Sequence, residues 1–376
     1  MIDPAASPES VLLIQPRGPA PEVWRSMTRY IERLVDVLEP EISARAIPAS
    51  HFNMPAPFRA HIPRYRQFPP LPRKWSEPLD LVHFTDIYIA PHVRRFNCPR
   101  VVTVHDMMPH QFRRNWPPGE VLAQAVFRRS LRALSAVDAI VVPSATSGLA
   151  LREVSPALAD RIHVVPVPVP DQIGAPPAPS RRDPATILSI GTTAYYKNIE
   201  LMLHTLADPA LSGARLVRIG ESLPSESRAL AQRLGIASRI EERGFIDEEA
   251  LLRALHSATV LFQPSLGEGF GMPVAEAMAA GLPVVVSDGG ALPDVVGSAG
   301  RVVPLRKRSR RNGLNPADVR AMAAALSEVL QSEQLRERMS AAGLSESERF
   351  RRPAVRASLL RAYGAAIGRF NARNGA

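Results

Sequence analysis

Ser265-Leu-Gly-Glu268-Gly-Phe-Gly-Met-Pro-Val-Ala-Glu276 combines loop glycines, two carboxylates and a helix start. Gly267, Gly269 and Gly271 let the backbone turn tightly and approach a ligand closely. Pro273 suits the first helical position, and Gly281 the position just past the helix end. A glycine loop opening into a helix presents unpaired N–H groups and the positive end of a dipole. That seats an anion, most simply a phosphate, on the N–H groups of Gly269, Phe270, Gly271 and Met272. Glu268 and Glu276, placed in the first helical turn, add nothing to a bare phosphate site. They would serve a phosphorylated sugar, because ionised carboxylates accept hydrogen bonds from paired hydroxyls. Taken singly, each reads better without a ligand, Glu268 as a solvated loop residue and Glu276 as a helix-dipole residue. The strand–loop–helix setting favours the site.

A second stretch, Gly191-Thr-Thr-Ala-Tyr-Tyr-Lys197-Asn198, follows the apolar run Thr186 to Ile190 and precedes a helix from Ile199. A lysine on such a loop reaches a phosphate as a compact point charge; alone, it reads as a surface lysine. A third, His105-Asp106, follows the strand ending at Val104. Ligands of parallel sheets bind beyond the carboxyl ends of the strands. A neutral histidine hydrogen-bonded at a strand end is the equal alternative there. Asp86 and Arg17-Gly18 occupy similar strand-end loops.

The elements that must position these residues are legible as alternation. Val11–Ile14, Leu81–Phe84, Val101–Val104, Ala139–Val142 and Ile162–Val165 are short apolar runs separated by helical stretches such as Glu22–Leu38 and Glu120–Ala136. The pattern predicts parallel sheets with helices on both faces. In the second half, Arg215–Gly220, Val260–Phe262 and Val284–Val286 read as strands. Glu226–Leu234, Pro316–Leu330, Glu333–Glu348 and Pro353–Phe370 read as helices, and Asp247 as a helix cap.

Glu268-x7-Glu276 with Gly-Phe-Gly-Met-Pro between, then Glu-Ala-Met-Ala-Ala-Gly-Leu-Pro-Val-Val, resembles the signature of retaining GT-B glycosyltransferases of family 4. The resemblance runs from about Val101 to Val303 and is densest from Gly244. It implies an α/β GT-B fold: two Rossmann-like domains whose parallel sheets face across a cleft that holds the donor. It implies transfer, with retention, of a hexosyl unit such as mannosyl from a nucleoside-diphosphate sugar to an acceptor hydroxyl in cell-surface polysaccharide or glycolipid synthesis. The acceptor would be a saccharide or lipid-linked saccharide. Glu268, His105 and Lys197 would be catalytic. Gly191, Thr192, Lys197, Gly269, Phe270, Gly271, Met272, Glu276, Arg17 and Gly18 would bind the donor. No cofactor or metal is expected. The family's paired glycines are replaced by Arg17-Gly18, its arginine near the lysine by Thr192 and Tyr196, and a later glutamate by Asp294, so Lys197 carries most of the charge for the diphosphate. Rival readings are a sugar-nucleotide epimerase or phosphorylase on the same fold, or a non-catalytic binding protein.

Length, 376 residues, suits two domains. The expected division is an acceptor-side domain 1–166, a proline-rich linker 167–184, a nucleotide-sugar domain 185–350 and a helix 351–376 crossing back. Cys98, the single cysteine, excludes an internal disulfide and fits a reducing compartment. The polar start and the lack of a membrane-length apolar run suggest a cytoplasmic protein, with peripheral contact at the inner membrane face an option. The net charge of +10 fits an anionic partner. Residues 55–75 interleave prolines, aromatics and arginines, which suits anionic lipid, single-stranded nucleic acid, or a loop packed on its own domain. The basic run Arg306–Arg311 lacks a helix-turn-helix or zinc spacing, so no nucleic-acid partner is expected.

Overall fold

A computed structural model describes residues 7–16, 25–49, 75, 77–111, 121–176, 185–306 and 314–375. The readings of Arg17, Gly18, the segment 55–74, the linker residues 177–184 and the basic residues 307–311 lie outside these. The chain forms two units, Met1–Pro168 with Arg351–Ala376, and Val169–Phe350.

The first unit runs β1 (Ser10–Pro16), α1 (Arg25–Leu38), β2 (Ser43–Ala49), β3 (Leu81–Phe84), a 3-10 helix (Ile87–Arg95), β4 (Arg100–Thr103), α2 (Met108–Gln111), α3 (Val121–Ala133), β5 (Ala139–Val142), α4 (Ala145–Val154) and β6 (Ile162–Val164). The C-terminal helix Arg352–Asn374 completes it. Its sheet is parallel, in the order β2-β1-β3-β4-β5-β6. α1 and the C-terminal helix cover one face; the 3-10 helix and α4, backed by α3, cover the other. Alternation along β3 follows from this. Val82 and Phe84 join Ile89, Phe96 and Phe127 in one apolar core, while His83 faces the C-terminal helix.

The second unit runs β7 (Thr186–Gly191), α5 (Ile199–Leu206), β8 (Arg215–Gly220), α6 (Ser225–Arg233), β9 (Ile240–Glu242), α7 (Glu248–Ser257), β10 (Val260–Gln263), α8 (Met272–Ala279), β11 (Val284–Ser287), α9 (Leu292–Val296), β12 (Arg301–Val303), α10 (Pro316–Gln331) and α11 (Glu333–Ser347). All its strand pairs are parallel, in the order β12-β11-β10-β7-β8-β9. This is the doubly wound order, and it reverses direction between β7 and β10. Loops leaving that reversal point diverge and open a crevice at the carboxyl ends of the strands. The loops that leave there carry Lys197 and Glu268.

Three expectations change. Met272, not Pro273, opens α8, so Glu276 lies in the second turn. The expected linker starts as packed chain: Val167 and Val169 are buried, and Val169 N–H donates to Phe350 O at 2.9 Å. Prolines at alternate positions had masked that burial. The strand before His105 ends at Thr103, one residue earlier than read.

Candidate functional site

Glu268 and Lys197 meet at the reversal point of the second sheet. Lys197 Nζ lies 2.8 Å from Glu268 Oε1. The same oxygen accepts from Gln263 Nε2 at 2.8 Å and Ser265 Oγ at 2.7 Å. Oε2 accepts no hydrogen bond among the described residues. Three donors on one oxygen fix the carboxylate's rotation and leave its other oxygen for a ligand. Both side chains are largely buried, with 13% of Lys197 and 8% of Glu268 exposed, so their charges are little screened. The ammonium has three donors. It can therefore hold Glu268 and a phosphate oxygen together.

The backbone stitches these two loops. Leu266 N–H donates to Tyr196 O at 2.6 Å, and Asn198 Nδ2 donates to Pro264 O at 3.0 Å. Asn198 itself caps α5 from the left-handed region, φ 57°, which asparagine tolerates better than most residues. A third segment supports them from below. Ala291 N–H donates to Glu268 O at 2.9 Å, and Ser287 Oγ donates to Ser265 O. A Cβ on Gly289 would sit 2.0 Å from Ser265 O, and one on Gly290 2.4 Å from Glu268 O. Only glycines admit this approach of one loop to another.

Gly271, at φ 99°, caps α8 in a conformation that L side chains rarely adopt. The first-turn N–H groups of a helix lack intrahelical acceptors; here Pro273 has no N–H and Val274 N–H donates to Gly271 O at 2.9 Å, which leaves the N–H of Met272 as the candidate anion donor of this turn. Phe270 contributes backbone only: its ring is 6% exposed and packs edge-on against Phe350 at 5.2 Å. Glu276 is 2% exposed; a carboxylate that deep is held by specific partners.

The sequence reading missed Arg218. It lies on β8, 2% exposed, and donates through Nη2 to Gly191 O at 3.0 Å and Thr192 O at 2.8 Å. Burial lowers its pKa to about 10, against the raising influence of Glu242 and Glu221. Arg218 thus underlies the 191–197 loop and is spent on its carbonyls. Its only sequence signal is a charge inside the apolar run Leu216-Val-Arg-Ile219. Gln263, Ser265 and Ser287 were also missed, because single polar residues at strand ends are too common to read. Asp247 caps α7 as expected, accepting from Ala250 N–H at 2.7 Å.

His105 belongs to the first unit, on the loop after β4. Its Nε2 lies 2.8 Å from Thr85 O, and its ring meets Tyr30 edge-on, centroids 4.7 Å apart. Burial pushes its pKa down to about 4, with the Thr85 contact opposing. Asp106 does not orient the ring through a hydrogen bond to it among the described contacts; its Oδ1 accepts from Met108 N–H at 2.9 Å. Asp86, on the neighbouring loop after β3, caps the 3-10 helix by accepting from Tyr88 N–H at 2.6 Å.

Comparison with known proteins follows this division. The model of "Glycosyl transferases group 1" matches residues 175–345, and that of "Glycosyltransferase Family 4" matches residues 23–172. The chain is 30% identical over 216 residues to the MMP alpha-(1->4)-mannosyltransferase of Mycolicibacterium hassiacum, covering 56% of this chain and 50% of that protein. It is 35% identical over 141 residues to the phosphatidyl-myo-inositol mannosyltransferase of Mycobacterium leprae, covering 37% and 35%. The chain thus spans about half or less of the length of these curated relatives. Among solved structures, sucrose-phosphate synthase from Thermosynechococcus elongatus superposes with TM-score 0.71 at 19% identity, over 94% of this chain and 98% of that one. Anabaena HepE, solved with UDP and glucose, gives 0.68 at 15%, over 93% and 98%. At these identities the structural likeness speaks for the fold.

Proposed function

The chain belongs to the GT-B glycosyltransferases of family 4, and on that premise we propose that it moves a hexosyl unit from a nucleoside-diphosphate sugar to an acceptor hydroxyl, with retention at the anomeric carbon. The observation that carries this is the Lys197–Glu268 contact where the loops after β7 and β10 diverge, beside the N-terminus of α8. A cation, a helix dipole and an oriented carboxylate are what a sugar diphosphate needs at its two ends.

In the reaction the bond from C1 to the β-phosphate oxygen breaks and a bond from C1 to the acceptor oxygen forms. The hydroxyl proton passes to the departing diphosphate. Negative charge grows on the diphosphate, where Lys197 and the N–H groups of Gly269 to Met272 stabilise it. Donors fixed in advance cost no reorganisation at that moment. Positive charge grows on the sugar, and the Glu268 carboxylate, locked through Oε1, faces it with Oε2. Glu276 takes the ribose hydroxyls. Gly191 and Thr192, held from below by Arg218, give the diphosphate a rigid wall. Positive charge from these groups makes a metal unnecessary in this reading. The role of His105 toward the sugar rests on the resemblance of Val104-His105-Asp106.

Both curated relatives named above are mannosyltransferases, which makes a mannosyl donor the first to try. A saccharide or lipid-linked saccharide acceptor in polysaccharide or glycolipid synthesis fits the same reading. Peripheral contact with anionic membrane is proposed from the composition of 55–75 and the net charge of +10. The test is product analysis: the full chain with nucleoside-diphosphate hexoses and saccharide acceptors, the anomeric configuration read by NMR. The expected result is an α-linked product from an α-linked donor, with turnover lost in Glu268→Gln. Release of sugar 1-phosphate from a glycoside and inorganic phosphate, without any nucleotide, would establish the phosphorylase instead.

A further inference from the structure

We propose that Arg218 is a positioning residue for the diphosphate: from beneath the loop after β7 it turns the Thr192 N–H toward the crevice and biases that N–H toward an anion. The identity of the anion rests on the glycosyl-transfer reading; the direction of the N–H does not.

The direction follows from the sheet. β7 lies between β10 and β8. In a trans peptide the C=O and the N–H point to opposite sides. Thr186 O, at the start of β7, accepts from Thr259 N–H on the β10 side. Gly191 O, at its end, faces the β8 side, where it accepts from Glu221 N–H at 3.2 Å and from Arg218 Nη2 at 3.0 Å. The N–H of that same peptide belongs to Thr192 and therefore points to the β10 side, where the loops after β7 and β10 diverge. It makes no hydrogen bond among the described residues. The next N–H, that of Thr193, is already taken by Glu221 Oε2 at 2.8 Å. Lys197 is a close neighbour: a Cβ on Gly191 would lie 3.7 Å from its Nζ.

Arg218 holds this arrangement firmly. Its Nη2 also donates to Thr192 O at 2.8 Å, so one nitrogen fixes two successive carbonyls, and its Nη1 donates to Ser189 Oγ at 3.3 Å. A carbonyl drawn toward a cation polarises its peptide and strengthens the N–H at the other end. The guanidinium is 2% exposed and its Nε has no partner. It touches no carboxylate among the described residues; Glu242 and Glu221 act on it only through space. Burial lowers its pKa only to about 10, so the charge is kept at neutral pH. A buried cation without a carboxylate in contact is under-compensated. The open face of the loop above it carries the Thr192 N–H, and an anion there meets the N–H, the Lys197 ammonium and this buried charge together.

The test uses the full chain with ¹⁵N-labelled threonine, the Thr192 amide being assigned by its absence in Thr192→Ser. UDP, GDP and ADP are titrated in turn, and the matching nucleoside is titrated beside whichever one binds. The diphosphate should move the Thr192 amide proton downfield, as hydrogen bonding to a phosphate does, and the nucleoside should leave it in place. Arg218→Met keeps the length of the side chain and loses its charge and its fork. It should bind the diphosphate about tenfold or more weaker, the worth of a hydrogen bond to a charged group, with nucleoside affinity unchanged. Arg218→Lys keeps the charge but not the planar fork, so it should fall between; it carries the comparison if thermal unfolding shows that Arg218→Met does not fold. An arginine that only stabilised the fold would weaken nucleoside and diphosphate alike. Equal losses for the two ligands, or a Thr192 amide in the wild-type protein that does not respond to a bound diphosphate, overturns the inference while nucleotide binding stands. Binding of none of the three nucleotides by the folded wild-type protein overturns the transfer reading, and the inference with it.

Discussion

Three titratable side chains in the first unit pull its stability in opposite directions with pH. Burial holds His83 at about 3 and His105 at about 4, so both stay neutral when folded at pH 5. Unfolded, each would titrate near 6.5 and be charged. Asp86 is pushed up to about 7 by burial, against the opposing Tyr88 N–H bond and with Asp106 adding, so it keeps its proton at pH 5 and releases it on unfolding. Unfolding at pH 5 therefore binds two protons and releases one. The histidine contribution is present above pH 6.5 and is lost as pH falls toward 4. The Asp86 contribution is complete below pH 4 and is lost as pH rises through 7. Net stability should rise between pH 4 and 6.5 by up to about 1.4 kcal/mol per pH unit. His105 is half-buried where His83 is fully buried, so its share is the smaller. Urea midpoints across that range check the slope, and Asp86→Asn should steepen it. A flat profile would contradict the burial of the two imidazoles. Lys197, Glu268 and His105 were readable in the sequence because their chemistry is scarce and sits at strand ends. Arg218 and His83 were not, because their roles are set by partners on other strands and helices that spacing does not reveal.

At the scale of elements, three loops build the second unit's site, and the glycine turn after β11 is what lets them close. Gly289→Ala puts a methyl 2.0 Å from Ser265 O, so backbone must move. We expect a loss of about 1–3 kcal/mol, as for other overpacked sites. Nucleotide binding should weaken with it, since Glu268 hangs on the displaced loop. Gly213→Ala is the control: nothing lies within 4 Å of its Cβ, and it should stay within about 0.5 kcal/mol. Denaturant unfolding of both variants decides, and equal stability would mean that the loops are not in contact. The strands of the site were legible because central strands of a parallel sheet are continuous apolar runs. β2 and β9 were not. Both are edge strands. Ser43-Ala-Arg-Ala-Ile-Pro-Ala49 carries a proline that only an edge tolerates, and Ile240-Glu-Glu242 is largely exposed. The 3-10 helix Ile87–Arg95 was hidden by Pro91, which breaks helical patterning.

At the scale of the molecule, the chain leaves its first unit at Pro168 and returns to it at Arg351. No helix among the described residues is long and apolar enough to cross a membrane. The alternation of short apolar runs with helices made two α/β units legible, and the Glu268–Gly281 stretch made the family legible. The buried valines 167 and 169 were not, since the prolines beside them read as linker. The central claim is that the second unit binds a nucleoside diphosphate at Lys197, the N-terminus of α8 and Glu276. The direct measurement is thermal unfolding of the full chain with UDP, GDP and ADP, beside Lys197→Ala and Glu276→Ala. A ligand at a hundred times its Kd adds about 2.7 kcal/mol to a protein that binds it only when folded. A rise of several degrees with one nucleotide, absent in both variants, is the predicted result and identifies the base. No rise with any of the three in the folded wild-type protein, or a rise that both variants keep, would contradict the site.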